Sequence, residues 1–198
     1  MKKTEQLTVN GRTVWMTRSR RKTLALSVTD RGEVVAKAPL RMSDREIAAF
    51  AAQKEEWIKK ALSRVAAAAL EAAEAGPLTA AEIVDLRARA KVVLPARAAL
   101  YAEKMGVSYT GVTIRLQKTR WGSCSAKGHL NFNALLMLAP PEVRDSVVVH
   151  ELCHLKEMNH SCRFYALLYA TMPDYDERHQ WLSDHGAALQ ARVREEDR

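Results

Sequence analysis

The chain has 198 residues, of which 47% are hydrophobic and 27% are charged, which is enough apolar material for one or two compact cores. No apolar run approaches the roughly 20 residues of a membrane-spanning helix, and none follows the basic residues at the start, so we expect neither a membrane protein nor a secretory signal. Three cysteines without framework spacing favour a reducing, cytoplasmic setting. The net charge of +8 favours an anionic partner such as nucleic acid, nucleotide or acidic protein, although such an excess can also serve solubility alone.

Residues 6–38 are predicted to form antiparallel strands. Asn10 and Gly11 separate two alternating apolar segments, which is typical of a type I′ hairpin. Between the predicted strands lies a basic segment, residues 18–22, with the sequence Arg-Ser-Arg-Arg-Lys. It can be a site for phosphate or an acidic segment, or a solvated connection, and the sequence does not separate these two interpretations.

A long helix is predicted after the strands. Ser43 and Glu46 form a capping box at its start, and the apolar stripe that follows includes Trp57, which we interpret as a core residue packed against the strands. The helix ends at Gly76-Pro77, the clearest break in the chain. We therefore predict two domains, a region of strands and helix over residues 1–76 and a second domain over residues 77–198.

The second domain is predicted to begin with another long helix. Thr79 and Glu82 form its capping box, Gly106 ends it, and Pro95 should kink or split it. Beyond it we predict a strand over 112–117, a loop over 120–125, a strand over 129–138, and three further helices. The elements together indicate the α+β class.

Residues 150–154 have the sequence His-Glu-Leu-Cys-His, which is the HExxH pattern. On a helix, His150 and His154 lie one turn apart on the same face, where two imidazoles can bind one ion. Glu151 lies beside them and can act as the general base on a metal-activated water without being a ligand. A tetrahedral catalytic zinc takes three protein ligands and keeps one position open, and His160 is the candidate for the third.

A straight helix would place His160 about 15 Å along the axis from His150, so the chain must fold back between them. We expect the helix to end soon after Lys156, Asn159 to adopt the left-handed conformation that terminates helices, and Ser161 to cap the next helix.

Other residues are candidates for supporting roles that the sequence does not rank. Oxyanion donors are sought among Tyr165, Tyr169, Tyr175 and Arg120, and carboxylates that hold the second nitrogen of a histidine among Asp145, Asp174 and Asp176. The strand over 129–138 either pairs with an extended peptide substrate or lies inside a small sheet. We interpret the remaining histidines as structural, namely His129, His179 and His185.

These motifs closely resemble the YgjP-like zinc-dependent metallopeptidases, which are related to the SprT-like and WLM proteases. The specific parts are residues 119–125 (Thr-Arg-Trp-Gly-Ser-Cys-Ser) and the zinc segment from His150 to Phe164; residues 140–142 and 173–175, the basic segment and the helix through Trp57 also match. The resemblance implies N-terminal antiparallel strands plus long helices, followed by a minimal zincin-like domain with a small sheet and an HExxH active-site helix.

The resemblance also implies a Zn²⁺ site at His150, His154 and His160, with Glu151 as base. SprT-like and WLM relatives include proteases that trim proteins cross-linked to DNA, so one expected substrate class is protein associated with nucleic acid. Two alternatives stay open. The same metal site could hydrolyse nucleoside triphosphates in the manner of a pyrophosphatase, with the basic segment binding phosphates. The chain could instead be a non-catalytic protein that binds nucleic acid and holds a structural metal. The presence of Glu151 and the open coordination position of the metal argue against this second alternative.

Overall fold

Within residues 4–197, which the computed structural model describes, seven strands form two sheets and are joined by six α-helices, so the predicted α+β class is confirmed. The chain forms two compact units, Met1–Glu71 and Ala72–Arg198. The division into domains after residue 76 stays a prediction. In the described part of the chain, no helix combines the length and the apolar character needed to cross a bilayer.

The first unit contains a four-stranded sheet in the order β1-β2-β4-β3. Its strands are β1 (Thr4–Val9), β2 (Arg12–Ser19), β3 (Ala25–Val28) and β4 (Val34–Pro39). Asn10 and Gly11 both have positive φ angles, of 50° and 76°, as a type I′ hairpin between β1 and β2 requires. The prediction of antiparallel strands is right for β1–β2 and β3–β4 but wrong for β2–β4, which pair in parallel. Apolar alternation specifies which face of a strand is buried, not which neighbour the strand pairs with.

Two helices cover one face of this sheet, α1 (Asp44–Gln53) and α2 (Glu55–Ala75). The predicted capping box forms, with the Ser43 hydroxyl accepting from the Glu46 N–H at 3.3 Å. Ile47 and Ile58 are buried against the inner face of the sheet. The interpretation of Trp57 as a core residue is wrong, because its side chain is 45% exposed. Adjacent helical residues point about 100° apart, so Ile58 takes the core position and Trp57 is turned outward.

The second unit begins with the 26-residue helix α3 (Ala80–Met105). Thr79 and Glu82 form its capping box, and Gly106 ends it in the left-handed conformation with φ 59°. Pro95 does not split the helix. The neighbouring Leu94 and Ala98 are fully buried, and this packing offsets the backbone hydrogen bond that proline cannot make.

A three-stranded sheet follows, in the order β5-β7-β6, formed by β5 (Gly111–Arg115), β6 (Gly122–Cys124) and β7 (His129–Asn133). The strand predicted over 129–138 ends at Asn133 and continues as a 3-10 helix, Ala134–Leu138. Asn133 is fully buried, and its amide nitrogen donates to the carbonyl oxygens of Gln117 at 2.8 Å and Arg120 at 2.9 Å. This amide therefore fixes the loop that leads into β6.

Three helices complete the unit: α4 (Pro141–Cys153), α5 (Cys162–Thr171) and α6 (Tyr175–Ala191). Helix α4 is held against α3 by the buried Asp145, whose carboxylate accepts from Arg97 at 2.8 and 2.5 Å and from the Tyr101 hydroxyl at 3.2 Å. At the end of α6, the Arg192 carbonyl accepts from the Leu78 N–H at 2.9 Å, and the Arg192 guanidinium donates to the Gly76 carbonyl at 2.8 Å. These two bonds join the beginning and the end of the unit.

Candidate metal centre

The candidate ligands lie where α4 ends and the chain turns back. His150 is in the last turn of α4, and His154 directly follows the end of the helix at Cys153. The main-chain N–H groups of Lys156 and Glu157 both donate to the Cys153 carbonyl, at 3.0 and 2.9 Å, which closes a tight turn. The helix therefore ends a few residues earlier than the sequence predicts.

The turn continues to α5, which begins after Ser161. The Ser161 hydroxyl accepts from the Phe164 N–H at 3.4 Å, so Ser161 caps α5 as predicted. Asn159 is not left-handed: among residues 4–197, Asn10 is the one non-glycine residue with a positive φ. The reversal that carries the chain towards His160 comes from the turn after Cys153 instead.

The structure brings His150, His154 and His160 together. Each offers one ring nitrogen, and these three atoms lie within 4.8 Å of one another, which is the spacing of a group that could hold a metal ion. The Nε2 atoms of His150 and His160 are 3.0 Å apart. The buried ring of Phe164 packs against all three imidazoles, with centroid distances between 4.7 and 4.9 Å, and forms the floor of the site.

In His150 and His154 the Nδ1 atom is hydrogen-bonded, which leaves Nε2 available for a metal ion. His154 Nδ1 lies 3.1 Å from the Glu157 carbonyl oxygen, which can only accept, so Nδ1 carries the proton and Nε2 keeps its lone pair. His150 Nδ1 lies 3.0 Å from the Tyr175 hydroxyl. Burial, together with the charges of His154 and His160, lowers the pKa of His150 to about 3, and burial is also the main cause of the lowered pKa of His154. Both imidazoles are therefore neutral at pH 7 and able to donate to a cation.

Glu151 lies beneath the edge strand β6. Its side chain is buried, and a Cβ atom added to Gly122 would be 2.6 Å from Glu151 Oε1, so a larger residue at that position would displace the carboxylate or the strand. The Cys124 main-chain N–H donates to the carboxylate. Burial raises the pKa of Glu151 to about 8, whereas the Arg120 charge and the Cys124 N–H lower it. A further positive charge at the imidazoles would lower it as well.

Three cavities open beside these groups. One, of about 190 Å³, lies next to His150 and Glu151 and is lined further by Arg120, Trp121, Val147, Tyr175, His179 and Leu182. Another, of about 240 Å³, reaches the three histidines and Glu151 between β6 and Met158. The third, of about 600 Å³, is lined by His150 and His160 together with Tyr165, Tyr169, Tyr175, Asp176 and His179. A substrate can therefore approach the imidazoles and Glu151 from more than one side.

None of the three aspartates suggested as histidine partners contacts an imidazole nitrogen. Asp145 binds Arg97 and Tyr101, Asp174 binds Arg178, and Asp176 accepts from the Tyr169 hydroxyl at 3.0 Å. The Tyr175 hydroxyl and the Glu157 carbonyl take that role instead. A main-chain carbonyl leaves no trace in the sequence pattern, and Tyr175 is distant from the HExxH motif along the chain.

The other histidines have different surroundings. His129 contacts the Thr113 hydroxyl at 2.7 Å across β5 and β7, and His185 stacks on Trp181 with a centroid distance of 4.6 Å. Both contacts agree with the structural interpretation. His179 stacks on Tyr175 at 5.5 Å and lines two of the cavities, so it lies at the site, which the sequence did not indicate.

The strand beside the site is β6, not the strand predicted from residue 129. Strand β7 lies between β5 and β6 and has no free edge for a peptide. Strand β6 is at the edge of the sheet, and because the Cys124 N–H reaches Glu151, its free edge faces the carboxylate. The sequence placed residues 120–125 in a loop, since three-residue strands are too short to show alternation.

Similarity to a known protein family identifies the class of this chain. A family model described as YgjP-like, metallopeptidase domain, matches residues 22–84 and 79–185. Two solved metallopeptidase zymogens are similar over 46% of this chain and 93% of theirs: abylysin of Pyrococcus abyssi, with 20% identity and a TM-score of 0.42, and jannalysin of Methanocaldococcus jannaschii, with 18% and 0.41. A comparison with curated protein sequences gives no significant match. Because the family model covers most of the 198 residues, the chain belongs to the YgjP-like family, as the sequence predicted, and is a metallopeptidase.

Proposed function

We propose that the chain is a zinc peptidase in which His150, His154 and His160 bind the metal and Glu151 is the general base. The observation that carries the proposal is the convergence of three imidazole nitrogens within 4.8 Å. Three imidazoles suit zinc, and a site with three protein ligands keeps the fourth position open for water or substrate. A structural site would be closed by a fourth protein ligand.

In the proposed reaction, the metal and the residues of the chain have separate roles. When bound, zinc would polarise the scissile carbonyl and lower the pKa of water from about 15.7 to about 7. The Glu151 carboxylate accepts the proton of the attacking water and donates it to the nitrogen of the leaving peptide. The Cys124 N–H and the close approach of Gly122 hold this carboxylate in one orientation during both transfers.

The free edge of β6 is proposed to align the substrate. The Cys124 N–H is already donated to Glu151, so an extended peptide would pair with the other main-chain groups on the free edge of residues 122–124. It would then lie over Glu151 and the imidazoles, and main-chain hydrogen bonds of this kind are indifferent to substrate sequence. Arg120 and Tyr165 are the proposed oxyanion donors, because each lines a cavity beside the histidines. Tyr169 and Tyr175 are engaged with Asp176 and His150.

The proposed substrates include protein bound to nucleic acid, and the net charge of +8 supports this proposal.

The cysteines Cys124, Cys153 and Cys162 are free thiols, which supports the expected cytoplasmic setting. One observation weighs against nucleotide hydrolysis: the Arg18 side chain, one of the suggested phosphate ligands, pairs with Glu5 and Asp44.

A substrate panel with metal removal tests the proposal. Purified protein, assayed for metal content, is offered denatured casein, casein with single-stranded DNA, and nucleoside triphosphates. We expect about one zinc per chain and cleavage of casein, loss of cleavage after a chelator, and recovery when zinc is added. Hydrolysis of nucleotide without cleavage of protein, under the same metal dependence, would contradict the peptidase proposal.

Replacing Tyr175 by phenylalanine tests how His150 is held. The variant removes only the hydroxyl that contacts His150 Nδ1, and the ring keeps its buried place. We expect zinc affinity to fall about 10- to 100-fold, the usual effect of losing a partner of a ligand histidine. Competition with a chromophoric chelator measures it. Tyr169→Phe, which removes an exposed hydroxyl bonded to Asp176, is the control and should bind zinc as the parent does; an equal loss in both variants would refute the role of Tyr175.

A further inference from the structure

The positive charge of this protein is concentrated in its first unit. Residues 1–71 contain 15 lysines and arginines and 8 acidic residues, a net charge of +7, whereas residues 72–198 contain 16 and 15, a net charge of +1. The unit that holds the candidate metal centre is therefore almost neutral. We therefore expect an anionic partner to bind residues 1–71.

Ion pairs inside this unit occupy several of its acidic residues. Glu5 and Asp44 pair with Arg18, and the other pairs are Glu55 with Arg12 and Glu56 with Lys59. Several basic side chains outside these pairs are exposed, among them Arg20, Lys22, Lys54, Lys60 and Arg64. The excess charge of the unit therefore faces solvent.

An aromatic groove lies among these charges. A cavity of about 210 Å³ is lined by Leu26, Phe50, Lys54 and Trp57, and we call it the Trp57 groove. The Trp57 ring is 45% exposed, and Lys54 Nζ lies 5.9 Å from the centre of the Phe50 ring. On α2, Lys60 and Arg64 follow Trp57 by three and seven residues and share its side of the helix.

We propose that the Trp57 groove binds single-stranded nucleic acid. Bases would stack on the exposed ring of Trp57, and the phosphates would follow the ammonium and guanidinium groups of Lys54, Lys60 and Arg64. Aromatic rings set in a basic groove are the combination with which proteins hold single strands without sequence preference. An acidic polypeptide would match the positive charge equally well, but its carboxylates would not stack on an exposed indole as bases do. The observations therefore favour nucleic acid.

This proposal goes beyond peptide hydrolysis and uses no residue of the metal centre. Binding is therefore measured on the full chain with and without zinc, and its outcome is independent of whether casein is cleaved. If the strand also carries the protein substrate, cleavage of that substrate rises with occupancy of the groove.

Fluorescence anisotropy with labelled oligothymidine tests the groove. Trp57→Ala should weaken binding about 5- to 150-fold, the effect of losing one stacked base, without changing the dependence on salt. Trp57→Phe keeps an aromatic ring and should retain most of the affinity. The double variant Lys60→Gln/Arg64→Gln should reduce the slope of log affinity against log salt by about 1.4, the contribution of two phosphate contacts to a single strand. Thermal unfolding checks that each variant is folded, and the double variant provides an independent test should Trp57→Ala unfold.

A matched pair of neutralised lysines is the control. Lys91→Gln/Lys127→Gln removes the same charge from exposed positions of residues 72–198 and should leave oligothymidine binding within about twofold of the parent. An equal loss in this control, or no loss in Trp57→Ala, would overturn the proposal. Polyglutamate that binds as tightly as oligothymidine, with the same dependence on Trp57, would assign the groove to an acidic polypeptide instead.

Discussion

Glu151→Gln is expected to lower kcat on casein by a factor of about 10² to 10⁴ while zinc content stays at the parent level. The range is the usual contribution of a positioned general acid-base residue. Glutamine has nearly the same shape, so it fits under Gly122, and its amide oxygen can still accept from the Cys124 N–H. It cannot take a proton from water at neutral pH. The substitution therefore removes the proposed chemistry and leaves the packing of the site in place.

The same substitution at Glu142 is the control. Glu142 is exposed in the first turn of α4, the helix that carries Glu151, so Glu142→Gln removes one negative charge from the same element. Its activity should lie within about twofold of the parent. Rates on casein, metal content and thermal unfolding are compared for the three proteins. A folded, zinc-loaded Glu151→Gln protein with full activity would exclude Glu151 as the base.

Gly122→Ala is expected to reduce kcat by about 10²-fold through geometry alone. The new methyl group would lie 2.6 Å from Glu151 Oε1 and 2.7 Å from its Cγ, far inside van der Waals contact. The Glu151 carboxylate or β6 must move, and a displacement of about 1 Å of a reacting group can cost that factor. None of the three histidines is touched, so zinc binding should persist. The expected result is a lower kcat with an unchanged zinc content per chain.

Ser123→Ala controls for changes in β6 itself. The Ser123 hydroxyl accepts from the Asn131 amide at 3.3 Å within the sheet, and its removal adds no volume near Glu151. This variant should keep turnover within a few-fold of the parent. Gly122→Ala with unchanged kcat, or with loss of zinc, would show that the glycine does not act by leaving room for Glu151.

Local signals in the sequence were sufficient for much of the fold. Both capping boxes, at Ser43 and Thr79, form where they were predicted, because each depends on residues only three positions apart. The grouping of the three histidines could also be predicted from the sequence. The HExxH spacing places two of them on one helical face, and a straight helix would carry His160 too far away, so the chain must turn before it. The roles of these residues in catalysis stay predictions.

Features that depend on contacts between distant segments could not be predicted from local sequence patterns. The position of β4 between β2 and β3 reflects pairing between segments, which alternation does not encode. Trp57 and Ile58 were both candidates for the core, and only the direction of α2 on the sheet decides between them. Gly122 was part of a recognised motif, yet its role follows from the position of the Glu151 side chain, which no local pattern specifies.

The hydrogen bonds of Arg192 to Gly76 and Leu78 have a consequence for engineering. They hold the two ends of residues 76–192 side by side, and adjacent ends are what allow a segment to be grafted into a loop of a host protein or circularly permuted. A short linker joining these ends would close the segment, and new termini could then be opened at an exposed turn such as Ala126-Lys127.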